Sequence, residues 1–478
     1  MNYRLQKILY ALLAIILLLS SLPITALADE TDSTVIKWPT PPEITSGGAI
    51  VMEASTGCIL YNKSAYDTFA PASTTKLMTS LLAIEQCPLS DIVTHSHDAI
   101  YSIGWDSSRA GLVEGEQIDM ENALYAILLA SANEVSYAVA EHIGGTIENF
   151  VSLMNQRTKD LGCVNTHFIN PHGLDDPEHY SCPYDLALIA RKAIEYTTFR
   201  RISGSYYHQI PETNLNVARD LGNTHQIIRK RIAYEGVFAG KTGSTSKAGN
   251  CLVTCAERDG MTLICVIMKA PNSATVYDET IALLDYGFKN FTLTPLAASE
   301  TESKNAFPML FEDEEALISD VSSPLSVNDT SLVLPKGATY SDLTKKVTLN
   351  PIDSFSIGKN AIGEISYYYA DNYVGCADIL YYSSDETVVI PTPTPIPTIT
   401  QTPTTSSNSK NPTSKEDDAT LTNASNVTDT EGSNMRPLLI GIILFSIILI
   451  IGLYVIMVEI PYQRRRKAYY NKWNRKHK

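Results

Sequence analysis

The stretch PASTTKLMT, residues 71–79, decides how this sequence is interpreted. Within it Ser73 and Lys76 are three positions apart at the start of an amphipathic segment, and such positions share one face of a helix. The Lys76 amine can therefore approach the Ser73 hydroxyl. A serine is a weak nucleophile without a neighbouring base, and a lysine is a base only when burial or a second cation keeps it neutral. Because a serine here can also be a simple helix N-cap, the pair needs support from elsewhere in the chain.

Two further motifs follow in order. SAN, residues 131–133, lies 58 residues after Ser73 and interrupts a helical stretch, and KTG, residues 241–243, lies 110 residues beyond it. A turn that enters a cleft would interrupt the helix in this way, but so would an ordinary surface turn. KTG is predicted to precede a hairpin strand, where it could be a simple loop-to-strand transition. Its Lys and Thr can also bind a carboxylate, and its Gly lets a ligand approach a strand edge. Lys241 could also supply the second cation near Lys76.

These motifs, with GAIVMEASTG at residues 48–57 and NPHGL at residues 170–174, resemble those of a known family. The chain is similar to the serine-type D-alanyl-D-alanine carboxypeptidases, which are low-molecular-mass penicillin-binding proteins. The resemblance covers about residues 40–290. It implies an α/β (α+β) fold of the β-lactamase/transpeptidase type, with a central antiparallel sheet, a helical cluster and a small all-β domain after it.

The resemblance also implies a role for each motif residue. Ser73 would form the acyl-enzyme, Lys76 would be its general base, and Ser131 would relay a proton to or from the leaving D-alanine. The backbone N–H groups of Ser73 and Ser244 would form the oxyanion hole. The residues that would bind the substrate amide and terminal carboxylate are Asn133, Lys241, Thr242, Gly243 and Ser244.

Three other positions bear on the comparison with this family. His172 and Asp185 match family positions near the cleft, without an assigned chemistry. Many members carry an arginine after the KTG strand that helps to bind the carboxylate, but residues 261–288 contain none. Lys269 is a candidate substitute, and strict preference for a terminal D-alanine is therefore in question.

The implied substrates are peptidoglycan stem peptides ending in D-Ala-D-Ala, with β-lactam antibiotics as covalent inhibitors. Two other enzyme functions stay open on the same scaffold, a β-lactamase and a DD-endopeptidase. A catalytically silent wall-binding protein is the non-enzyme alternative. No cofactor is expected, and no CxxC or Cys/His spacing indicates a metal. The net charge of −15 argues against nucleic acid as a partner.

Both ends of the chain are basic and apolar. Residues 1–28 have the charged, apolar and small-residue parts of a secretory signal peptide. Residues 437–458 carry no charge over 22 positions, enough for a transmembrane helix of about 33 Å. The basic tail, residues 459–478, would lie in the cytoplasm and the body outside the cell, anchored by a single pass.

The middle of the chain divides by composition. Periodicity and turn signals predict a catalytic domain at 29–294, whose mixed sheet receives strands from both of its ends, and a small β-rich domain at 295–390. Within the catalytic domain they predict helices that begin at Asp119 and at Thr146, the second with Leu153 pointing inward, and a hairpin whose turn contains Asp259-Gly260. Residues 391–434 contain 6 Pro and 18 Ser or Thr and no aromatic residue, which is typical of an extended linker. Eight cysteines in an exported chain suggest disulfides, although those in predicted strands are as consistent with buried thiols.

Overall fold

The computed structural model describes residues 36–296, 325–350 and 356–383. The predicted signal peptide, linker, transmembrane helix and basic tail all lie outside these residues. Among the helices that are described, none combines the length and apolar character needed to cross a bilayer.

The described strands and helices are numbered here in chain order. The strands are β1 (Gly48–Glu53), β2 (Ile59–Lys63), β3 (Ile92–Thr94), β4 (Gln117–Asp119), β5 (Tyr207–Ile210), β6 (Arg219–Gly222), β7 (Val237–Thr245), β8 (Gly249–Arg258), β9 (Met261–Ala270), β10 (Phe291–Pro295), β11 (Leu325–Val327), β12 (Ser331–Pro335), β13 (Leu343–Leu349), β14 (Gly358–Tyr369) and β15 (Asn372–Ser383). The α-helices are α1 (Lys76–Gln86), α2 (His97–Tyr101), α3 (Met120–Leu128), α4 (Asn133–Gly144), α5 (Ile147–Asp160), α6 (Pro183–Ala193), α7 (Thr197–Ser203) and α8 (Ser273–Asn290).

A five-stranded sheet in the order β2-β1-β9-β8-β7 forms the centre of the molecule. Both ends of the catalytic region contribute strands, as predicted. Each pair in this sheet is antiparallel, which confirms the central antiparallel sheet implied by the family resemblance, whereas the mixed sheet expected from the order of elements is wrong. The reason is that the sheet joins two hairpins, β1-β2 and β8-β9, and β1 runs antiparallel to β9 where they meet.

The sheet is the middle layer of three. Every residue of β1 is buried, and successive side chains of a strand point to opposite faces. Ile50 and Met52 pack into the core formed with the helical cluster, whereas Ala49 and Val51 pack into the core that includes α8. The apolar run in β1 therefore reflects burial on both faces.

Helix capping follows the sequence closely. The Asp119 side chain accepts a hydrogen bond from the Asn122 N–H at 2.8 Å, and that of Thr146 accepts one from the Asn149 N–H at 3.2 Å. Both predicted helix starts are confirmed. The prediction that Leu153 points inward is wrong, because this side chain is 36% exposed at the edge of the buried stripe of α5.

The chain after α8 is rich in strands where it is described. β10 pairs with β12, and a four-stranded antiparallel sheet has the order β11-β15-β14-β13. These strands have a core of their own, which includes Leu332, Ile365, Tyr369 and Ile379. The bounds of 295–390 for this domain stay a prediction.

All eight cysteines lie within the described residues, and each is a free thiol there. Cys251, Cys255 and Cys265 are buried in the central sheet. These strand cysteines are therefore buried free thiols and not members of disulfides.

Candidate active site

Ser73 lies in a 3-10 turn, Ala72–Thr75, that leads directly into α1. The N-cap of this turn is Pro71 and that of α1 is Thr75, so the simple N-cap alternative does not apply to Ser73. The preceding Ala72 has a φ of +47°, a left-handed conformation that costs an alanine free energy. Strain of this kind next to a reactive side chain is common at functional sites.

Lys76 is buried directly beneath Ser73. Its Nζ donates to the Ser73 Oγ at 3.0 Å, to Asn133 Oδ1 at 2.6 Å and to the His172 carbonyl at 2.5 Å. Burial lowers the pKa of Lys76 well below its ordinary value, and the nearby charge of Lys241 lowers it further. The two effects that can make a lysine a base are therefore both present.

The SAN motif forms the buried turn between α3 and α4. Ser131 is 4% exposed and Asn133 2% exposed, which agrees with a turn that enters a cleft and not with a surface turn. Ser131 has a φ of +60°. This conformation directs the chain so that the Ser131 hydroxyl accepts a hydrogen bond from Lys241 Nζ at 3.0 Å.

The KTG motif lies within β7, the edge strand of the central sheet, and not before it. Lys241 is buried, Thr242 is half-buried and Ser244 is exposed. A Cβ added at Gly243 would lie 3.1 Å from the backbone nitrogen of Ser73, so glycine lets the strand approach the nucleophile closely without pressing on its backbone. This approach brings the peptide before Ser244 beside Ser73, where the oxyanion hole is predicted.

The other positions noted in the sequence take different places. Asp185 is buried and accepts hydrogen bonds from the backbone of Val164 and Asn165, so it fixes a loop against the start of α6. His172 contributes its carbonyl to Lys76, and burial, followed by the charge of Lys76, lowers the pKa of its imidazole. Lys269 is exposed at the end of β9, and its suggested role in carboxylate binding stays a prediction.

Two residues near the site were not singled out from the sequence. Glu134 is fully buried, and its Oε1 accepts hydrogen bonds from the N–H groups of Ala110 at 2.7 Å and Gly111 at 3.0 Å. Thr224 bonds the Thr242 hydroxyl at 2.8 Å. The signal for Glu134 was its place next to Asn133 in the first turn of a helix, whereas nothing local marks Thr224.

The buried Lys241 predicts a pH dependence of stability. Burial lowers its pKa from 10.5 to about 7. Between these values the unfolded chain binds a proton that the native protein does not, so the free energy of unfolding rises with pH. Between pH 8 and 9 we expect the free energy of unfolding to rise more steeply in the wild type than in Lys241→Met. The difference between the two slopes should reach about 1.4 kcal/mol per pH unit. Urea unfolding followed by circular dichroism measures this difference.

The matched control for this prediction is Lys247→Met, which removes an exposed lysine a few residues further along the chain. Its stability should follow the wild-type pH dependence. Parallel curves for the wild type and Lys241→Met would contradict the lowered pKa.

Comparison with known proteins agrees with this geometry. The family model described as D-alanyl-D-alanine carboxypeptidase, peptidase family S11, matches residues 36–272. D-alanyl-D-alanine carboxypeptidase DacF of Bacillus subtilis is 36% identical over 253 residues, which are 52% of this chain and 63% of DacF. DacA of Escherichia coli K12 is 30% identical over 335 residues, 68% of this chain and 79% of DacA.

Among solved structures, penicillin binding protein 5 from Haemophilus influenzae superposes with a TM-score of 0.59 at 26% identity, covering 72% of this chain and 99% of that one. The chain spans just under two thirds of several curated relatives, for example 64% of DacA of Haemophilus influenzae and 66% of DacC of Escherichia coli. The match to DacA of Escherichia coli K12 covers more of that relative, 79% of its length. The three motifs that form the site all fall within residues 36–272, which the family model matches. The chain therefore belongs to the D-alanyl-D-alanine carboxypeptidase family.

Proposed function

We propose that the protein is an exported, membrane-anchored serine DD-carboxypeptidase that removes the terminal D-alanine from peptidoglycan stem peptides. The observation that carries this proposal is the 3.0 Å contact between Ser73 Oγ and the amine of the buried Lys76. Membership of the family supports the class of reaction.

Acylation begins when neutral Lys76 takes the Ser73 proton and Ser73 Oγ attacks the carbonyl carbon of the penultimate D-alanine. The backbone N–H groups of Ser73 and Ser244 stabilise the oxyanion. As the C–N bond breaks, Ser131 donates a proton to the leaving amine and is reprotonated through its contact with Lys241. Water then attacks the ester and gives up one proton, which restores the proton of Lys241. Protonated Lys76 returns its proton to the departing Ser73 Oγ, and the shortened peptide leaves with a new terminal carboxyl group.

Substrate binding is assigned to the walls of the same cleft. Asn133 Oδ1 accepts from Lys76, which leaves the amide NH₂ of Asn133 to donate to a substrate carbonyl. Lys241 and Thr242 bind the terminal carboxylate, which favours the protonated form of Lys241 once it is bound. β-Lactams occupy the site as covalent inhibitors because their ring amide is attacked by Ser73 in the same way.

The location outside the cell is supported by the ends of the sequence. Residues 1–28 would direct export, and residues 437–458 would anchor the chain with residues 459–478 in the cytoplasm. The linker at 391–434 would hold the catalytic body away from the membrane surface.

Release of D-alanine from a peptide ending in D-Ala-D-Ala, and covalent labelling by a fluorescent penicillin, test the proposal. We expect the wild type to do both and Ser73→Ala to do neither, because the variant lacks the atom that forms the ester. The matched control is Ser80→Ala, in α1, the helix that follows the Ser73 turn. The Ser80 hydroxyl has no hydrogen-bond partner among the residues described, so its removal should leave both activities intact.

Two outcomes would contradict this proposal. D-alanine released by Ser73→Ala would exclude the acyl-enzyme on Ser73. A penicillin label that is lost within seconds would favour a β-lactamase, whereas a persistent label agrees with a carboxypeptidase.

A further inference from the structure

Cys87, Asp91 and His142 form a cluster at the end of the helical layer. The thiol sulfur, a carboxylate oxygen and an imidazole nitrogen all lie within 4.8 Å of one another. His142 Nε2 and Asp91 Oδ2 are 3.6 Å apart. We propose that this cluster is a zinc site, although positions 87, 91 and 142 have no spacing that marks a metal in the sequence.

Two of the ligands lie at helix C-termini, which favours a cation whatever the chemical type of the ligands. Cys87 is the C-cap of α1, and its N–H donates to the Ala83 carbonyl at 3.1 Å. His142 lies in the last turn of α4. The C-terminal end of a helix carries a partial negative charge, and here two such ends meet at one cluster.

The backbone of the third ligand is also held. The Asp91 N–H donates to the Pro88 carbonyl at 3.1 Å, and its carbonyl accepts from the Met120 N–H at 2.8 Å. The three ligands therefore come from fixed positions, and side-chain rotation is the only movement that metal binding requires.

The chemistry of the donors selects the class of metal. A thiolate, an imidazole and a carboxylate together suit zinc, whereas calcium and magnesium prefer oxygen atoms alone. Metal–ligand bonds of about 2.0–2.3 Å in a tetrahedron place the ligand atoms roughly 3.3–3.6 Å apart, so no pair needs to close by more than about 1.5 Å. Cys87 releases its thiol proton to solvent on binding, and water completes the fourth position because the cluster is at the surface.

The site would connect the two helices that build the catalytic centre. α1 and α4 begin with Lys76 and Asn133, which are joined by the 2.6 Å hydrogen bond. The zinc would join the opposite ends of the same helices, about 16 Å away along α1. It therefore acts as a structural ion that holds the helix pair together and does not touch the reacting atoms.

Cobalt(II) provides a spectroscopic test, because tetrahedral cobalt absorbs visible light and a cobalt–thiolate bond adds a charge-transfer band. The full-length protein, freed of metal with a chelator, is titrated with cobalt alone. We expect one equivalent to bind with both features and zinc to displace it. Cys87→Ser should lose the charge-transfer band, and His142→Gln should keep it while its affinity falls more than about tenfold.

Cys376→Ser is the matched control, because it removes a half-buried cysteine of β15 and should retain the wild-type titration. Thermal unfolding with and without zinc is a second measurement, which tests zinc binding independently of the cobalt spectrum. Zinc should raise the midpoint of thermal unfolding of the wild type and Cys376→Ser, but not of Asp91→Asn. A wild type without the charge-transfer band, or a band that persists in Cys87→Ser, would overturn the proposal.

Discussion

Lys76→Met is expected to lower the rate of acylation by a fluorescent penicillin by about a thousandfold. The reason is that the Lys76 amine, 3.0 Å from Ser73 Oγ, is the base positioned to take its proton. Burial and the charge of Lys241 lower the pKa of this amine and so favour the neutral form that a base requires. The time course of labelling at several penicillin concentrations gives the second-order rate constant.

Lys76→Arg separates the role of a base from the role of a positive charge. An arginine keeps the charge but does not lose its proton in proteins, so we expect it to be as inactive as Lys76→Met. Lys247→Met, which changes an exposed lysine, should retain the wild-type rate. An active arginine variant would show that Lys76 acts through its charge, and would contradict the proposed proton transfer.

The second large effect is expected for Gly173→Ala. A Cβ at this position would lie 1.9 Å from the carbonyl oxygen of Ala72, the residue before the nucleophile. Gly173 also has a φ of +89°, which an alanine adopts only at a cost. We expect a loss of about 3 kcal/mol in the free energy of unfolding. Displacement of Ser73 should also slow acylation by about a hundredfold.

Gly162→Ala is the matched control for this change. Gly162 has a similar φ of +76°, but a Cβ there would meet nothing within 4 Å. This variant should therefore lose only about 1 kcal/mol and keep the acylation rate. Equal effects of the two substitutions on acylation would mean that the contact between Gly173 and Ala72 does not position the nucleophile.

Local patterns predicted much of the fold and the site. The spacing of Ser73 and Lys76 predicted that the lysine amine lies next to the serine hydroxyl, which the structure confirms. Asp119 and Thr146 predicted helix starts because their side chains can accept capping hydrogen bonds, and both do so. These features depend on residues three or four positions apart, where helix geometry is fixed. The turn Asp259-Gly260 likewise marked the hairpin β8-β9, because both residues adopt positive φ.

Contacts between distant residues were not predictable in this way. The carbonyl of His172 reaches Lys76 across 96 positions, and Gly173 supports Ala72 from a separate loop. A backbone carbonyl has no side-chain signature in a sequence. The KTG motif was placed before a strand and not within β7, because its burial depends on the neighbouring strand and not on its own composition.

The order of strands in the central sheet has a consequence for the timing of folding. β1 is made first, but it pairs with β9, whose residues follow more than 200 positions later. A growing chain that ends before residue 261 therefore has β1 and β2 without their main partner, and α6 without the strand β9 against which it packs. Such long-range closure slows folding. Synthesis of the catalytic region must be almost complete before Ser73 and Lys76 can be brought to the edge of β7, so a shortened chain should be inactive even when all of its SxxK residues are present.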